Sequence, residues 1–238
     1  MSSQRAICAV IPVKEAGAAK QRLADALSPA QRRQLAYAML EDVLATLAGT
    51  VELASILVVT ADPGAAAIAA RYGAEISDEA ARAGHSAAVA AAALRLNARG
   101  FDMLALPADI PLVQSDDIQQ LIAAHADSRS DEPPGPSFTI VPARNERGSN
   151  AVACSPAGAV PLRFGEDSFF PHLAAAKARG IEPTVLRLPR VALDIDNAQD
   201  LDCLLAMPIR TRAQALLAQW GITAPCIAAR HKERRSSE

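Results

Sequence analysis

The stretch FDMLALPADIPLV, residues 101–113, indicates an α/β sheet with a ligand site at its edge. Its apolar half predicts a buried strand that runs into Ala-Asp-Ile-Pro. In open α/β sheets, ligands bind beyond the carboxyl ends of the strands. Pro107 and Pro111 restrict the backbone on both sides of Asp109, so its carboxylate is presented on a stiff turn. We therefore expect Asp109 to bind a divalent cation.

Apolar strand-like runs and helical patterns alternate from residue 6 to residue 125. This alternation predicts a parallel sheet with right-handed crossovers. Helix starts are expected at Ser28-Pro29 and Asp62-Pro63, because each pairs an N-cap residue with a proline at the first helical position. The strands predicted in this half are ICAVIP (7–12, ending at Pro12), SILVVTA (55–61), AEIS (74–77) and the run before Asp109. The first long helix is expected to bury Leu35, Met39, Leu40, Val43 and Leu47.

After a polar, proline-rich loop at 126–137, the pattern predicts two strands joined by a turn, a helix and a further strand. We expect one domain over residues 1–221 and a disordered tail over 222–238. The elements predicted here are the strands FTIVPA (138–143), NAVACS (150–155) and TVLRL (184–188), and helices at 168–179 and 208–221.

Composition excludes several classes of function. The chain has 238 residues, a net charge of −2 and 3% aromatic residues, which argues against nucleic-acid binding. Neither a signal segment nor an apolar run of about 20 residues occurs, so we expect a cytoplasmic protein without membrane contact. The cysteines form no CxxC pair, and each is expected to be a small buried apolar residue rather than a metal ligand. They are Cys8, Cys154, Cys203 and Cys226.

The loop after the first predicted strand concentrates positive charge. Lys14 and Lys20, two of only four lysines in the chain, lie in it together with Arg22. Nucleotide phosphates bind at this position in α/β sheets, and two ammonium groups and a guanidinium suit a triphosphate. A solvated basic loop is the alternative, since the glycine-rich phosphate signature is absent.

Two further carboxylates, Asp194 and Asp196, follow another short apolar segment. Alternate residues of an extended segment point the same way, so both are expected on one side with Ile195 turned away. Mg²⁺ is usually held by one or two carboxylates together with substrate phosphates. Asp196 could instead cap the helix that follows, although Asn197 could serve that role.

Small residues in the second half form a third candidate group. Gly148-Ser149-Asn150 opens a strand, and Gly165 and Ser168 could offer close backbone approach and donors to an anion. Ordinary turn chemistry with an N-cap serine is the alternative. His172 is expected to be a packing histidine, and His85 either lies near a nucleotide or begins a helix.

Taken in order, the motifs resemble one enzyme family from about residue 6 to residue 206. They are IPVK, K-x-RLA, LSPAQRRQLAYAMLEDVL, LPADIPL, G-[ST]-N-A, FG-x-x-SF-x-x-H and LDID-x-x-x-DL. The series resembles the guanylyltransferases that activate 2-phospho-L-lactate, phosphoenolpyruvate or 3-phospho-D-glycerate in coenzyme F(420) biosynthesis.

The resemblance implies a three-layer, Rossmann-like nucleotide-diphospho-sugar transferase fold with a mostly parallel, mixed sheet. It implies transfer of GMP from GTP to the acid, with catalytic roles for Asp109, Lys14 and Lys20. Mg²⁺ would be held by Asp109, Asp194 and Asp196, and the acid by Ser149, Gly165 and Ser168. The residues expected around the nucleotide are Pro12, Val13, Lys14, Lys20, Arg22, Gly84, His85 and Ser86.

The chain departs from the family pattern twice. Gly84-His85-Ser86 stands where Gly-Leu-Asn is usual, which affects the expected nucleotide site, and Ser149 stands where threonine is usual. Two alternatives remain open: a transferase of the molybdopterin or isoprenoid-precursor type, whose usual L-x-G-G-x-x-x-R-M loop is absent, and a catalytically silent nucleotide-binding protein. The oligomeric state is open as well, and apolar residues on the C-terminal helix are compatible with a homodimer.

Overall fold

The structure is a computed structural model that describes residues 5–15, 20–128, 135–165 and 167–223. Its described part contains a mixed sheet flanked by helices. The strands are β1 (Ile7–Val13), β2 (Leu53–Thr60), β3 (Glu75–Ser77), β4 (Asp102–Ala105), β5 (Ser137–Pro142), β6 (Ser149–Ser155) and β7 (Thr184–Val185). The helices are α1 (Pro29–Ala48), α2 (Pro63–Arg71), α3 (His85–Ala98), α4 (Ser115–Asp127), α5 (Phe169–Lys177), α6 (Pro189–Ala192), α7 (Ala198–Ala206) and α8 (Arg212–Gln219).

The strands lie in the order β3-β2-β1-β4-β6-β5-β7. Strands β3, β2, β1 and β4 pair in parallel, as the strand–helix alternation predicted. Strand β6 runs in the opposite direction and pairs in antiparallel fashion with β4 on one side and β5 on the other, while β7 pairs in parallel with β5. The carboxyl ends of β1 and β4 therefore lie at the same edge as the start of β6, so Lys14 after β1, Asp109 after β4 and Ser149 at the start of β6 are placed at this edge.

Local sequence signals set the helix starts. Ser28 caps α1 in a capping box with Gln31, and Asp62 accepts the N–H groups of Gly64 and Ala65 at the start of α2. Both predicted starts are confirmed. The expected apolar stripe of α1 is also confirmed, because all five of its predicted residues are buried.

Alternation along β1 divides the core into layers. Ile7, Ala9 and Ile11 pack with α1, α2 and α4, whereas Cys8 and Val10 pack with α3 and α5 on the other face of the sheet. A third apolar cluster joins α1 to α7 and α8. The fold therefore has three layers, and α7 and α8 pack against the outer side of α1.

Several predicted boundaries differ from the structure, among them the helix expected at 208–221, which is α8 at Arg212–Gln219. β1 runs through Pro12 to Val13, and β7 covers only two residues of the predicted TVLRL strand because Pro189 starts the short helix α6 immediately afterwards. For the same reason Asp194 and Asp196 follow a helical turn rather than a strand. Ile222 is buried and its N–H donates to the Leu217 carbonyl, so the packed structure reaches into the first residue of the expected tail; residues 224–238 lie outside the described part, and the tail stays a prediction there.

Helix α8 does not present the apolar surface suggested for a dimer. It buries Ala213 and Leu217 against α1, and none of the large apolar side chains exposed in the described residues belongs to it. No described helix is long and apolar enough to cross a membrane.

The cysteines follow the prediction in part. Cys8 and Cys154 are buried within the core, whereas Cys203 is half-buried and its sulfur accepts from Arg144 Nη1 at 2.8 Å. Cys226 lies outside the described residues.

Candidate active site

A cleft with two adjoining lobes lies at the carboxyl ends of β1 and β4. The first lobe, of about 300 Å³, is lined by Pro12, Val13, Lys14, Lys20, Ala36, Tyr37, Met39, His85, Pro107, Ala108, Asp109 and Asp196. The second lobe, of about 560 Å³, is lined by Lys14, Arg22, His85, Pro107, Asp109, Ala143, Asn145, Arg147, Gly148, Ser149, Asn150, Phe164, Gly165, Ser168, Asp194 and Asp196. Because five residues line both lobes, the cleft is continuous. It brings together most residues singled out in the sequence.

Lys20 holds the two acidic segments together. Its ammonium bonds Asp109 Oδ2 and lies 2.9 Å from Asp196 Oδ1, and the lysine side chain is only 7% exposed. The Lys20 backbone is left-handed, with φ 56°, which costs a non-glycine residue about 1 kcal/mol. Such strain persists only where the surroundings fix the residue, as these two carboxylates do here.

The Asp109 turn is tied to the Asp194 segment through the backbone. The N–H of Ile195 donates to the Asp109 carbonyl at 3.0 Å, and the Ile195 side chain is fully buried. The residues on either side, Asp194 and Asp196, both line the second lobe. The alternation predicted for this segment is therefore confirmed.

Each of these two aspartates is held by a residue outside the predicted set. Asn150 Nδ2 donates to Asp194 Oδ1 at 3.0 Å and also to the Val191 carbonyl. Asp200 Oδ2 accepts the N–H of Asp196 at 3.1 Å, and Arg144 binds the other Asp200 oxygen at 2.8 Å.

The cap of α7 decides between the two readings of Asp196. Asn197, not Asp196, caps the helix, and Asp200 completes its capping box. The Asp196 carboxylate is thereby left for Lys20 and the cleft.

Negative charge is concentrated at this point of the cleft. Burial raises the pKa of Asp194 above its ordinary value, and the charges of Asp109 and Asp196 raise it further, against the hydrogen bond from Asn150. Burial alone would lower the pKa of Lys20, but Asp109 and Asp196 raise it above its ordinary value. Lys20 is therefore the cation that balances these carboxylates in the structure.

The donor set partly fits a divalent cation. Among the described residues, no three His, Cys, Asp or Glu side chains are arranged to hold a metal ion by themselves, and the Lys20 ammonium contacts both Asp109 and Asp196. However, Asp109 Oδ1 is buried with no hydrogen-bond partner in the described residues, although its residue lines both lobes. Hard oxygen donors with a free acceptor suit Mg²⁺ when phosphates complete its coordination.

The nucleotide residues expected from the sequence divide into two groups. Pro12, Val13, Lys14, Lys20 and His85 line the first lobe, and Arg22 lines the second, with Nη1 4.0 Å from Asp196 Oδ2. Burial lowers the pKa of His85 to about 4, with the nearby Lys14 lowering and Asp109 raising it, so the imidazole is neutral at neutral pH.

Gly84 and Ser86 do not line the described part of the cleft. Gly84 has φ 102° and precedes α3, a conformation that favours glycine. The Ser86 hydroxyl accepts from the Phe164 N–H at 2.9 Å, and the Phe164 ring lies 4.6 Å from that of His85. In the structure, Ser86 therefore fixes the loop that carries Gly165.

The expected acid-binding residues lie together in the second lobe. Ser168 begins α5, but its side chain makes no cap hydrogen bond and donates instead to Ser149 Oγ at 3.2 Å. Ordinary N-cap chemistry therefore does not explain this serine. In the described part of the chain, no atom beyond its chain neighbours lies within 4 Å of where a Cβ on Gly165 would be, so that backbone is accessible from the second lobe.

Sequence reasoning missed several residues of the site. Arg147 lines the second lobe and pairs with Asp167 at 2.6 Å, and Tyr37 lines the first lobe and donates to Asp62 at 2.8 Å. The N-x-x-D pattern at 197–200 is a capping-box signal that could have identified Asp200. The G-[ST]-N-A motif contains Asn150, but nothing local points to its partners, which lie more than 40 residues away.

Solved structures share this architecture. A structure described as a nucleotide-diphospho-sugar transferase from Desulfovibrio desulfuricans G20 matches with a TM-score of 0.68 at 19% identity, covering 91% of this chain and 95% of that one. Glucosyl-3-phosphoglycerate synthase from Mycobacterium tuberculosis, solved with Mn²⁺, UDP and glucosyl-3-phosphoglycerate, matches with a TM-score of 0.54 at 14% identity, covering 92% and 81%. The fold is therefore the Rossmann-like type of the nucleotide-diphospho-sugar transferases, as expected.

Relatives in sequence identify more closely the kind of transferase that this chain resembles. A phosphoenolpyruvate guanylyltransferase of Roseiflexus castenholzii is 36% identical, covering 89% of this chain and 94% of the relative. A 2-phospho-L-lactate guanylyltransferase of Methanothermobacter thermautotrophicus is 35% identical, covering 91% and 92%. A 3-phospho-D-glycerate guanylyltransferase of Colwellia psychrerythraea is 34% identical, covering 84% and 92%.

A family model described as "Guanylyl transferase CofC like" matches residues 7–236. The chain belongs to this guanylyltransferase family, and it is an enzyme of the nucleotidyltransferase class.

Proposed function

We propose that this enzyme transfers GMP from GTP to a small phosphorylated acid and releases pyrophosphate, with Mg²⁺ in the cleft, as a step in coenzyme F(420) biosynthesis. The acid is 2-phospho-L-lactate, phosphoenolpyruvate or 3-phospho-D-glycerate, the substrates named for the relatives. The observation that carries the proposal is the continuity of the cleft: the Lys20–Asp109 pair and the Ser149 group line adjoining lobes.

The lobes suit two substrates that must meet. GTP would lie in the first lobe, beside the carboxyl end of β1, with its phosphates towards Lys14, Lys20 and Arg22. The acid would lie in the second lobe against Ser149, Gly165 and Ser168. The residues shared by the lobes, including Asp109, would then flank the reacting phosphates.

The reaction needs positioning and charge neutralisation. A phosphate oxygen of the acid attacks the α-phosphorus of GTP, the bond from this phosphorus to the bridging oxygen breaks, and pyrophosphate leaves with that oxygen. The attacking phosphate is already ionised at neutral pH, so no side chain has to remove a proton. Lys14, Lys20 and Arg22 offset the charge that gathers on the leaving group.

The metal would be held by Asp109, Asp194 and Asp196, completed by phosphate oxygens. When bound, Mg²⁺ would supply charge neutralisation and orientation of the phosphates. Two observations support this assignment: the unpartnered Asp109 Oδ1 and the mutual repulsion that raises the pKa of Asp194. A second cation at these carboxylates would compete with the Lys20 ammonium.

A matrix of four nucleoside triphosphates against the three acids tests the proposal, with products identified by mass and pyrophosphate counted in parallel. We expect one or more acids to gain GMP from GTP, with one pyrophosphate per product. Preference for CTP would instead favour another nucleotidyltransferase of this fold. A large thermal shift with GTP, without turnover of any acid, would favour a silent nucleotide-binding protein.

A further inference from the structure

The histidine expected only to pack, His172, lies 1% exposed beneath the second lobe. Its Nδ1 is 3.0 Å from Ser149 Oγ, and its Nε2 is 2.9 Å from the backbone nitrogen of Arg163. The Phe164 ring stacks edge-on against it at 5.1 Å between centroids. The imidazole is thus fixed at both nitrogens and on one face.

These contacts determine the tautomer. A backbone N–H can only donate, so Nε2 of His172 must accept from Arg163 and cannot carry a proton. In the neutral ring the proton is then on Nδ1, which must donate to Ser149 Oγ. Burial lowers the pKa of His172 to about 4, in agreement with a neutral ring.

The consequence falls on the Ser149 hydroxyl. A hydroxyl has one proton and two lone pairs, and Ser149 Oγ accepts from His172 Nδ1 and from Ser168 Oγ, so both lone pairs are used. Its own proton is left to donate elsewhere. Ser149 is half-buried and lines the second lobe, where an anionic oxygen would be the acceptor.

We propose that His172 is a positioning residue, which fixes the Ser149 hydroxyl as a donor to an anionic oxygen of the acid substrate. The proposal rests on the proposed function, since it assigns the acid to the second lobe. It gives His172 no part in proton transfer. Its effect is on recognition of the acid and leaves the GTP side of the cleft unchanged.

Two substitutions test the roles of Nδ1 and Nε2 of His172 separately. His172→Asn keeps a donor near the Nδ1 position and loses the acceptor for Arg163, whereas His172→Gln keeps an acceptor near Nε2 and loses the donor to Ser149. We expect Gln to raise the KM for the acid about tenfold, as for loss of a hydrogen bond directed at a charged group, with the KM for GTP unchanged. Asn should keep the acid KM closer to wild type. His125→Asn, at a buried histidine bonded to Thr139 and Ser155 and absent from the lining of either lobe, is the matched control for lost stability.

A double-mutant cycle tests whether His172 acts through Ser149. Adding His172→Gln to Ser149→Ala should raise the acid KM no further, because the hydroxyl to be oriented is already gone. Additive effects, or equal increases in KM for acid and GTP, would overturn the proposal. So would a His125→Asn variant with the same acid KM as His172→Gln.

The tautomer can be read without turnover, from long-range ¹H–¹⁵N NMR spectra of protein labelled at histidine. The Nδ1–H tautomer of His172 is expected, and the Nε2–H tautomer would overturn the inference even if GMP transfer is normal. If the wild-type enzyme transfers GMP to none of the three acids, the proposed function fails and this role fails with it. The NMR spectra distinguish failure of the proposed function from failure of the tautomer assignment, because they report the tautomer without turnover.

Discussion

Replacing Lys20 with methionine removes the cation that binds Asp109 and Asp196 while keeping the length of the side chain and the left-handed backbone. Lys20 is 7% exposed, and the Asp109 and Asp196 side chains are 26% and 44% exposed. The substitution therefore leaves two half-buried carboxylates facing each other, with Asp194 close enough to raise the repulsion.

The size of the stability loss in Lys20→Met follows from the charges of the pair and their exposure to solvent. At 2.9 Å and an effective dielectric constant near 20, the Lys20–Asp196 attraction is about 6 kcal/mol before the cost of desolvating the ions. Removing one partner of a fully buried pair costs roughly 3–5 kcal/mol. Because Asp196 is almost half exposed, solvent screens part of this attraction. We therefore expect Lys20→Met to lower the free energy of unfolding by about 2 kcal/mol. For a chain of this size that lowers the Tm by about 4–8 °C.

Thermal unfolding with and without Mg²⁺ is the assay. Mg²⁺ should raise the Tm of Lys20→Met more than that of wild type, because the carboxylates no longer have the ammonium as a competing cation. GMP transfer should nevertheless fall in the variant, since Lys20 is also expected to bind the phosphates. Lys177→Met is the matched control: Lys177 lies 3.5 Å from Glu182 on the surface, with side chains 60% and 82% exposed, so little stability should be lost. A Lys20→Met variant with the wild-type Tm and no larger response to Mg²⁺ would refute this view of the cleft.

Three other changes have defined outcomes. Asp109→Asn should abolish GMP transfer while its circular dichroism stays near that of wild type; normal turnover would disprove the metal assignment. Asp42→Ala should lower stability by about 1–2 kcal/mol in urea titrations without changing KM, because Asp42 accepts the N–H groups of Arg212 and Ala213 at the start of α8; an unchanged unfolding midpoint would contradict this. The pKa of about 4 for His172 lies below the unfolded value near 6.5, so the unfolded chain binds the proton first as pH falls. The contribution of His172 to stability should be full above about pH 6.5 and fall by up to about 3 kcal/mol towards pH 4, so the free energy of unfolding should fall less steeply in His172→Asn; equal slopes in urea titrations would contradict the burial of a neutral ring.

Much of the parallel half of the fold could be predicted because its signals are local. Ser28-Pro29 and Asp62-Pro63 carry cap and proline chemistry within two residues, and both start helices. The alternation across Ile195 placed Asp194 and Asp196 on one side. The short helix α6 was missed although Pro189 is a helix-start signal, because four residues are too few to show a helical pattern.

The site was harder to predict where it depends on distant partners. The sequence indicates that Lys20 lies in a loop near phosphates, but its ion pairs span 89 and 176 residues and follow only from the folded chain. The same holds for Asn150 on Asp194 and for His172 on Ser149. Long-range hydrogen bonds of this kind leave no periodic pattern in the sequence.

We propose that Asp109, Asp194 and Asp196 hold a cation that faces the nucleotide phosphates in the first lobe. Anomalous diffraction from crystals grown with Mn²⁺ and a non-hydrolysable GTP analogue tests it most directly. We predict an anomalous peak within bonding distance of Asp109 and a phosphate oxygen, with the Lys20 ammonium turned towards the phosphates. A peak away from these aspartates, or a nucleotide bound outside the cleft, would contradict the account.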